Sequence, residues 1–211
     1  MEFFKHLDYT LLKSTTDKQD IVALCQTAII HKFKAVCIPP YYVKDAVSSL
    51  EGHQIKTATV IGYPMGYATT SAKVEEIKRA IDEGADELDV VINLCAVKDA
   101  AWSYVKNDIE SMTRAVHLKG KVIKVIIEQG MLNAEELKMV CGFCAEIGCD
   151  YVKTSTGTTE GSVNPEMITQ LRKHLPSNIK IKASGGIRSK EQVEALINAG
   201  ADRVGTSSLI I

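Results

Sequence analysis

The chain has 211 residues, 45% hydrophobic and 24% charged, with 25 basic and 26 acidic side chains and a net charge of −1. These totals exclude a disordered or fibrous protein and fit one domain, residues 1–211, around a single sizeable core. No basic stripe and no apolar run near the ~20 residues of a membrane span occur, so neither nucleic acid nor membrane is an expected partner.

The first residues, Met1 to Asp8, lack the apolar stretch of a signal peptide, which makes a cytoplasmic location the default. From there the chain alternates β-branched runs with amphipathic runs. Strands are expected over residues 6–10, 33–38, 56–62, 87–93, 122–128, 151–155, 179–184 and 203–207. Several are near-continuous apolar stretches, as parallel strands covered by helices are. Seven helical stretches lie between them. Thr16 with Gln19, and Ser189 with Gln192, read as capping boxes; Asn133 with Glu136 and Asn164 before Pro165 read as N-caps. Helix ends carry a repeated phrase: Gly84-Ala85-Asp86, Gly148-Cys149-Asp150, Gly200-Ala201-Asp202. The glycine can take the left-handed conformation that stops a helix just before a strand. Eight such repeats predict an α/β fold, a (β/α)8 TIM barrel, with a doubly wound open sheet as the alternative. The chain ends at Ile211, so the final helix should be short or missing.

Cys25, Cys37, Cys95, Cys141, Cys144 and Cys149 sit in apolar segments, as reduced cysteines do. Cys141 and Cys144 form a C-x-x-C within a helical run, not at the strand-to-helix entry that redox chemistry uses. The five histidines show no metal-ligand spacing, so no metal is expected.

Alternation along each strand selects the side chains that face the barrel lumen. Sending Leu88, Val90 and Ile92 outward turns Asp89, Val91 and Asn93 inward. The same rule points Lys124, Ile126 and Glu128 inward from the fifth strand and Tyr151, Lys153 and Ser155 from the sixth. Lys182 faces in from the seventh, Cys37 from the second and Asp8 from the first. The lumen then holds Asp89, Lys124, Lys153 and Lys182, with Glu128 at the rim. A structural ion-pair network would explain this, but buried ion pairs rarely stabilise a fold, so chemistry is the stronger reading. Two lysines in one cavity should lower each other's proton affinity. Whichever loses its proton can attack a carbonyl and form a Schiff base, with Asp89 placed to shuttle protons.

Gly185-Gly186-Ile187-Arg188 follows the seventh strand and Gly205-Thr206-Ser207-Ser208 the eighth. Loops at these two places are the usual phosphate seat of such barrels, because small residues let backbone N–H groups approach an anion. The expected partner is a phosphorylated, carbonyl-bearing small molecule.

At these residues the chain resembles the deoxyribose-phosphate aldolases, a Schiff-base (class I) family. The matching segments run in order from Leu7-Asp8-Tyr9-Thr10-Leu11-Leu12 through Val36-Cys37-Ile38-Pro39-Pro40, Ala85-Asp86-Glu87-Leu88-Asp89-Val90-Val91-Ile92-Asn93 and Lys124-Val125-Ile126-Ile127-Glu128. They continue through Tyr151-Val152-Lys153-Thr154-Ser155-Thr156-Gly157 to Lys182-Ala183-Ser184-Gly185-Gly186-Ile187-Arg188. The resemblance implies the barrel fold and cleavage of 2-deoxy-D-ribose 5-phosphate to D-glyceraldehyde 3-phosphate and acetaldehyde, a step of deoxyribose phosphate breakdown. It implies Lys153 as the Schiff-base lysine, Lys182 as the lysine that tunes it, and Asp89 as the proton relay. It also implies that Asp8, Thr10, Cys37 and Lys124 line the substrate pocket, and that Gly157, Gly186, Ser207 and Ser208 hold the phosphate. No cofactor is implied.

Three departures stand out. Tyr9 replaces a histidine common in relatives, and Thr158-Thr159-Glu160 follows Gly157 where relatives often carry an aromatic or basic residue. Longer relatives end in a segment whose tyrosine assists enamine protonation; ending at Ile211, this chain is expected to turn over more slowly. Another phosphate-binding barrel lyase or isomerase, such as a transaldolase, and a non-catalytic sugar-phosphate-binding barrel are the competing functions. Barrels of this kind often pair, so a homodimer is an expectation as well.

Overall fold

The computed structural model describes residues 2–208. Eight parallel strands close into a barrel in sequence order: β1 (Leu7–Thr10), β2 (Ala35–Ile38), β3 (Lys56–Ile61), β4 (Glu87–Val91), β5 (Val122–Ile126), β6 (Tyr151–Lys153), β7 (Lys180–Ser184) and β8 (Arg203–Thr206). β8 pairs back onto β1, with Asp8 opposite Gly205, so the described sheet has no open edge. The doubly wound alternative is thereby excluded. Every expected strand is present; most end one or two residues earlier than expected, because their last residues turn out into the loops that roof the barrel.

Helices α1 (Lys18–His31), α2 (Val43–Ser49), α3 (Thr70–Asp82), α4 (Leu94–Lys98), α5 (Trp102–His117), α6 (Ala134–Ile147), α7 (Pro165–His174) and α8 (Lys190–Asn198) cover the sheet. The β4–β5 crossover holds two helices where one was expected. Asn93, expected to face the lumen, instead caps α4: its Oδ1 accepts from Ala96 N at 3.2 Å. The capping boxes at Asn133–Glu136 and Ser189–Gln192 are formed, as is the Asn164 cap before Pro165. The box assigned to Thr16 and Gln19 lies one residue later, at Asp17 and Asp20. Asp17 is the residue with extended backbone there, so its carboxylate reaches the first turn. The expected short or missing final helix lies outside the described residues.

The repeated Gly-x-Asp phrase does more than end helices. Gly84, Gly148 and Gly200 have φ of 109°, 79° and 111°. Two residues on, each aspartate accepts from the backbone N–H of the preceding strand. Asp86 takes Thr57 N at 3.3 Å, Asp150 takes Ile123 N at 2.9 Å, and Asp202 takes Ile181 N at 2.8 Å. The phrase therefore pins strands β3–β4, β5–β6 and β7–β8 at the bottom of the barrel, away from the loops that carry chemistry.

Outward residues such as Val36, Leu88, Val90, Ile123, Val152 and Ile181 are fully buried under the helices. At about 25 cal/mol per Å² this apolar layer supplies most of the favourable folding energy. Inside, Cys37, Ala58 and Val60 form a small apolar wall on β2 and β3. The remaining strands bring charges. No helix among the described residues is long and apolar enough to cross a membrane.

Candidate active site

Among the described residues, seven side chains form one ion-paired network in the lumen: Asp8, Glu87, Asp89, Lys124, Lys153, Lys182 and Arg203, each at most 4% exposed. Asp89 sits at the centre. Its Oδ1 accepts from Lys124 Nζ at 2.7 Å, and its Oδ2 accepts from Lys153 Nζ at 2.8 Å and Lys182 Nζ at 2.7 Å. Lys182 Nζ is also 2.5 Å from Asp8 Oδ2. Lys124 Nζ reaches Glu87 at 2.6 Å and Asp8 at 3.7 Å. Arg203 closes the lower layer, donating to Asp8 through Nε (2.8 Å) and Nη2 and to Glu87 through Nη1 (3.3 Å) and Nη2 (3.1 Å). Each of these side chains comes from a strand position whose alternation leaves no other direction to point. Asp89 and Lys124 are opposite each other in the β4–β5 register, and Lys153 and Lys182 in the β6–β7 register.

Mutual repulsion does not set the protonation of Lys182. Burial pushes its ammonium toward the neutral form, but Asp8 and Asp89 outweigh burial, and its pKa lies above the ordinary lysine value. Lys124 is raised in the same way: burial is exceeded by Asp89, Glu87 and Asp8. The charged form of Lys182 is thus favoured, which corrects the expectation that its proton affinity is lowered. Burial alone would raise the Asp89 carboxyl, yet Lys124, Lys153 and Lys182 hold it well below the usual range. Asp8 is likewise held low, where Arg203, Lys182 and Lys124 exceed the burial effect. Cys37 stays a thiol, because burial and then Asp89 raise it; its Sγ points at Asp89 Oδ2 from 3.9 Å.

Above this layer opens a cavity of about 690 Å³ at the C-terminal ends of the strands. Lys153 lies on its floor, and Thr10, Gly157, Gly186 and Ser207 are on its walls. Asp89 and Lys182 are fully buried beneath Lys153. Asp8, Cys37 and Lys124, expected to line the pocket, are fully buried too and do not reach the cavity wall; Asp8 contacts Lys182, and Cys37 and Lys124 contact the Asp89 carboxylate. Ser208 is also absent from the wall; its N–H donates to Thr206 Oγ1 at 3.1 Å.

The roof is built from glycines at positive φ: Gly157 at 87°, Gly185 at 105° and Gly186 at 71°. A Cβ on Gly186 would stand 2.0 Å from Ser162 Oγ, so only glycine lets the β7–α8 loop approach the β6–α7 loop. Gly205 and Thr206, expected in the last loop, lie within β8, and the loop begins at Ser207. Glu128, at the end of β5 with φ 48°, ties the β6–α7 loop down. Its Oε2 accepts from Thr156 N at 3.1 Å and Thr156 Oγ1 at 2.6 Å, and its Oε1 accepts from Thr159 Oγ1 at 3.1 Å. Tyr63 donates to Thr156 O at 3.2 Å, its phenol pushed up to about 12 by burial.

Sequence reasoning missed Glu87, Arg203 and Tyr63. The alternation that selected Asp89 also selects Glu87, two residues earlier. Arg203 was findable as the one charge in an otherwise small and apolar strand.

A buried lysine at the floor of an open cavity, with a carboxylate and a second lysine behind it, is Schiff-base aldolase geometry. The sequence profile of the DeoC/LacD family of aldolases matches residues 4–209. The chain belongs to the DeoC/LacD aldolase family. It is 46% identical over 210 residues to the deoxyribose-phosphate aldolase of Thermococcus gammatolerans, covering 99% of this chain and 93% of that one. It is 43% identical over 205 residues to the Clostridioides difficile deoxyribose-phosphate aldolase, covering 97% and 92%. Among solved structures, an aldolase designated QR15 superposes with a TM-score of 0.93 at 37% identity, covering 98% and 92%. The deoxyribose phosphate aldolase of Aeropyrum pernix, described as a tetramer, gives 0.91 at 30% identity, covering 98% and 87%. This DeoC/LacD aldolase is therefore a TIM-barrel carbon–carbon lyase.

Proposed function

We propose that the chain reversibly cleaves 2-deoxy-D-ribose 5-phosphate to D-glyceraldehyde 3-phosphate and acetaldehyde, with Lys153 as the nucleophile. One observation carries the assignment: among the four buried lysines, Lys73, Lys124, Lys153 and Lys182, Lys153 is the one on the cavity wall.

Lys153, as free amine, adds to the aldehyde carbon C1 of the open-chain sugar. The carbinolamine loses water to a protonated imine. The C3 hydroxyl then gives up its proton and the C2–C3 bond breaks, its electron pair flowing through C2 toward the imine nitrogen. C3 becomes the aldehyde of glyceraldehyde 3-phosphate. The enamine left on Lys153 takes a proton at C2, and water releases acetaldehyde and the amine.

Asp89 links Lys153 to Lys182 through one oxygen, so a proton can pass between them without leaving the protein. Lys182, held as a cation, puts positive charge beside the nitrogen that must lose its own. Asp8, Cys37 and Lys124 support this pair from below, while Thr10 meets substrate in the cavity. The phosphate is assigned to the roof, where Gly157, Gly186, Ser207 and Ser208 carry backbone N–H groups and hydroxyls. Self-association into a homodimer belongs to the proposal as well, with light scattering as its readout.

The test is borohydride reduction in the presence of acetaldehyde, followed by peptide mass mapping. An ethyl group on Lys153 is the expected result. Binding of the sugar phosphate without any adduct would make the chain a non-catalytic binder and end this reading.

A further inference from the structure

Below Asp89, the lumen contains a layer that no catalytic step uses. Arg203 on β8 spans Asp8 on β1 and Glu87 on β4, and Glu87 in turn holds Lys124 on β5 at 2.6 Å. A guanidinium cannot give up its proton in a protein, so Arg203 is the one member of this layer whose charge never titrates.

The ionisable groups facing the lumen can be counted strand by strand. β1 brings Asp8, β2 Cys37, and β4 Glu87 and Asp89. β5 brings Lys124, with Glu128 at its end engaged by Thr156 and Thr159. β6 brings Tyr151 and Lys153, β7 Lys182 and β8 Arg203. β3 brings the apolar Ala58 and Val60. Glu128 bonds to threonines and joins none of the lumen ion pairs among the described residues; within the ion-paired network, three carboxylates (Asp8, Glu87, Asp89) meet four cations (Lys124, Lys153, Lys182, Arg203), an excess of one. An uncompensated charge in so dry a space is costly. Three of the cations have strong reasons to stay charged. Lys124 contacts Asp8, Glu87 and Asp89; Lys182 contacts Asp8 and Asp89; Arg203 contacts Asp8 and Glu87. Lys153 contacts one carboxylate, Asp89, and alone of the four lies on the cavity wall, where its proton has an exit.

We propose that Arg203 is a positioning residue of the reaction: with Glu87 it keeps the ion-paired network around Asp89 one positive charge in excess, and Lys153 relieves that excess by working as a free amine. Arg203 touches no substrate and acts through Asp8, Glu87 and Lys124. The inference rests on Lys153 being the nucleophile.

The experiment is the pH profile of kcat/KM for cleavage by the full chain and its variants. Glu87→Gln removes a carboxylate and raises the excess to two, so the acid limb should move down by about one pH unit, the size of one charge roughly 10 Å away at an effective dielectric of 20. Arg203→Met removes the excess, so the limb should move up by about the same amount. Arg203→Lys keeps the charge and should leave the limb near its wild-type place. A purely structural role would lower activity in both neutralising variants without shifting their limbs in opposite directions. Should Arg203→Met not fold, Glu87→Gln against Arg203→Lys decides. Limbs that stay put, or that both move the same way, overturn the inference. Borohydride trapping on the same samples separates the two layers of argument. A Lys153 adduct with unmoved limbs sinks this inference alone, and an adduct on a different lysine sinks the reading beneath it too.

Discussion

Lys153 and Lys182 aim their ammonium groups at one atom, Oδ2 of Asp89, from 2.8 and 2.7 Å. The remaining oxygen of that carboxylate holds Lys124 at 2.7 Å. A carboxylate gripped by three cations does not store a proton; it passes one across. Asp89→Asn keeps the shape and removes that capacity. Turnover of the sugar phosphate should fall about 10²–10⁴-fold, the usual effect of losing a positioned acid–base group. Lys153 would also be left without a countercharge, while Lys124 and Lys182 keep theirs in Asp8 and Glu87, so unfolding by urea should show a loss of about 3–5 kcal/mol. A variant with wild-type turnover would remove Asp89 from the reaction.

Gly186→Ala tests the roof. The new Cβ would overlap Ser162 Oγ and lie 3.0 Å from Ser162 Cα, at a φ that alanine resists. The β6–α7 and β7–α8 loops must then separate, and the proposed phosphate seat widens. KM for the phosphorylated sugar should rise about tenfold, equivalent to about 1.4 kcal/mol of binding. KM for unphosphorylated 2-deoxy-D-ribose should stay where it was. Equal changes in both would mean that the loop shapes the whole cavity and not the anion seat.

Away from the lumen, Lys73 on α3 and Asp108 on α5 form a fully buried pair at 2.6 Å. Lys73 Nζ also donates to Gly66 O at 3.2 Å and Val91 O at 3.1 Å, tying the β3–α3 loop to the end of β4. Asp108→Ala leaves an ammonium buried with no countercharge. The expected loss is about 3–5 kcal/mol, seen as a large drop in Tm. A drop no larger than that of a surface substitution would show that the two carbonyls suffice for Lys73.

Stability against pH follows from the directions of the lumen shifts. Asp8 and Asp89 lie below their ordinary value of 3.8, so their unfolded forms bind protons that the folded forms refuse. Their stabilisation is complete above that value and is lost as pH falls through the folded values. Lys182 and Lys124 lie above their ordinary 10.5, so their stabilisation is complete below it and is lost as pH rises through the folded values. These groups predict a Tm plateau across neutral pH with a fall on each side, read by circular dichroism. A Tm that rises as the solution is acidified below pH 3.8 would contradict the sign.

The barrel was legible because it is written in periodic signals. Runs such as Leu88-Asp89-Val90-Val91 carry both the burial of the outer face and the alternation that turns Asp89 inward. The Gly-x-Asp phrase marked helix ends, and only the folded chain showed its aspartates bracing the preceding strands. The Thr16 box failed by one residue because capping depends on which backbone is extended there, a matter of the preceding turn. Asn93 failed because β4 ends two residues before it, and alternation has no meaning past a strand's last ladder bond.

From residue types and order alone came eight strands in parallel, two lysines and an aspartate facing one lumen, and glycines where an anion could sit; each follows from a periodicity or a backbone preference that is local. Closure of the barrel decided the rest. It set which oxygen each lysine shares, put Asp8, Cys37 and Lys124 under the floor and not on it, and made Lys182 a cation. It also brought Arg203 and Glu87, 116 residues apart, into contact. Electrostatics depends on distances between strands far apart in sequence, and those distances exist only once the sheet has closed.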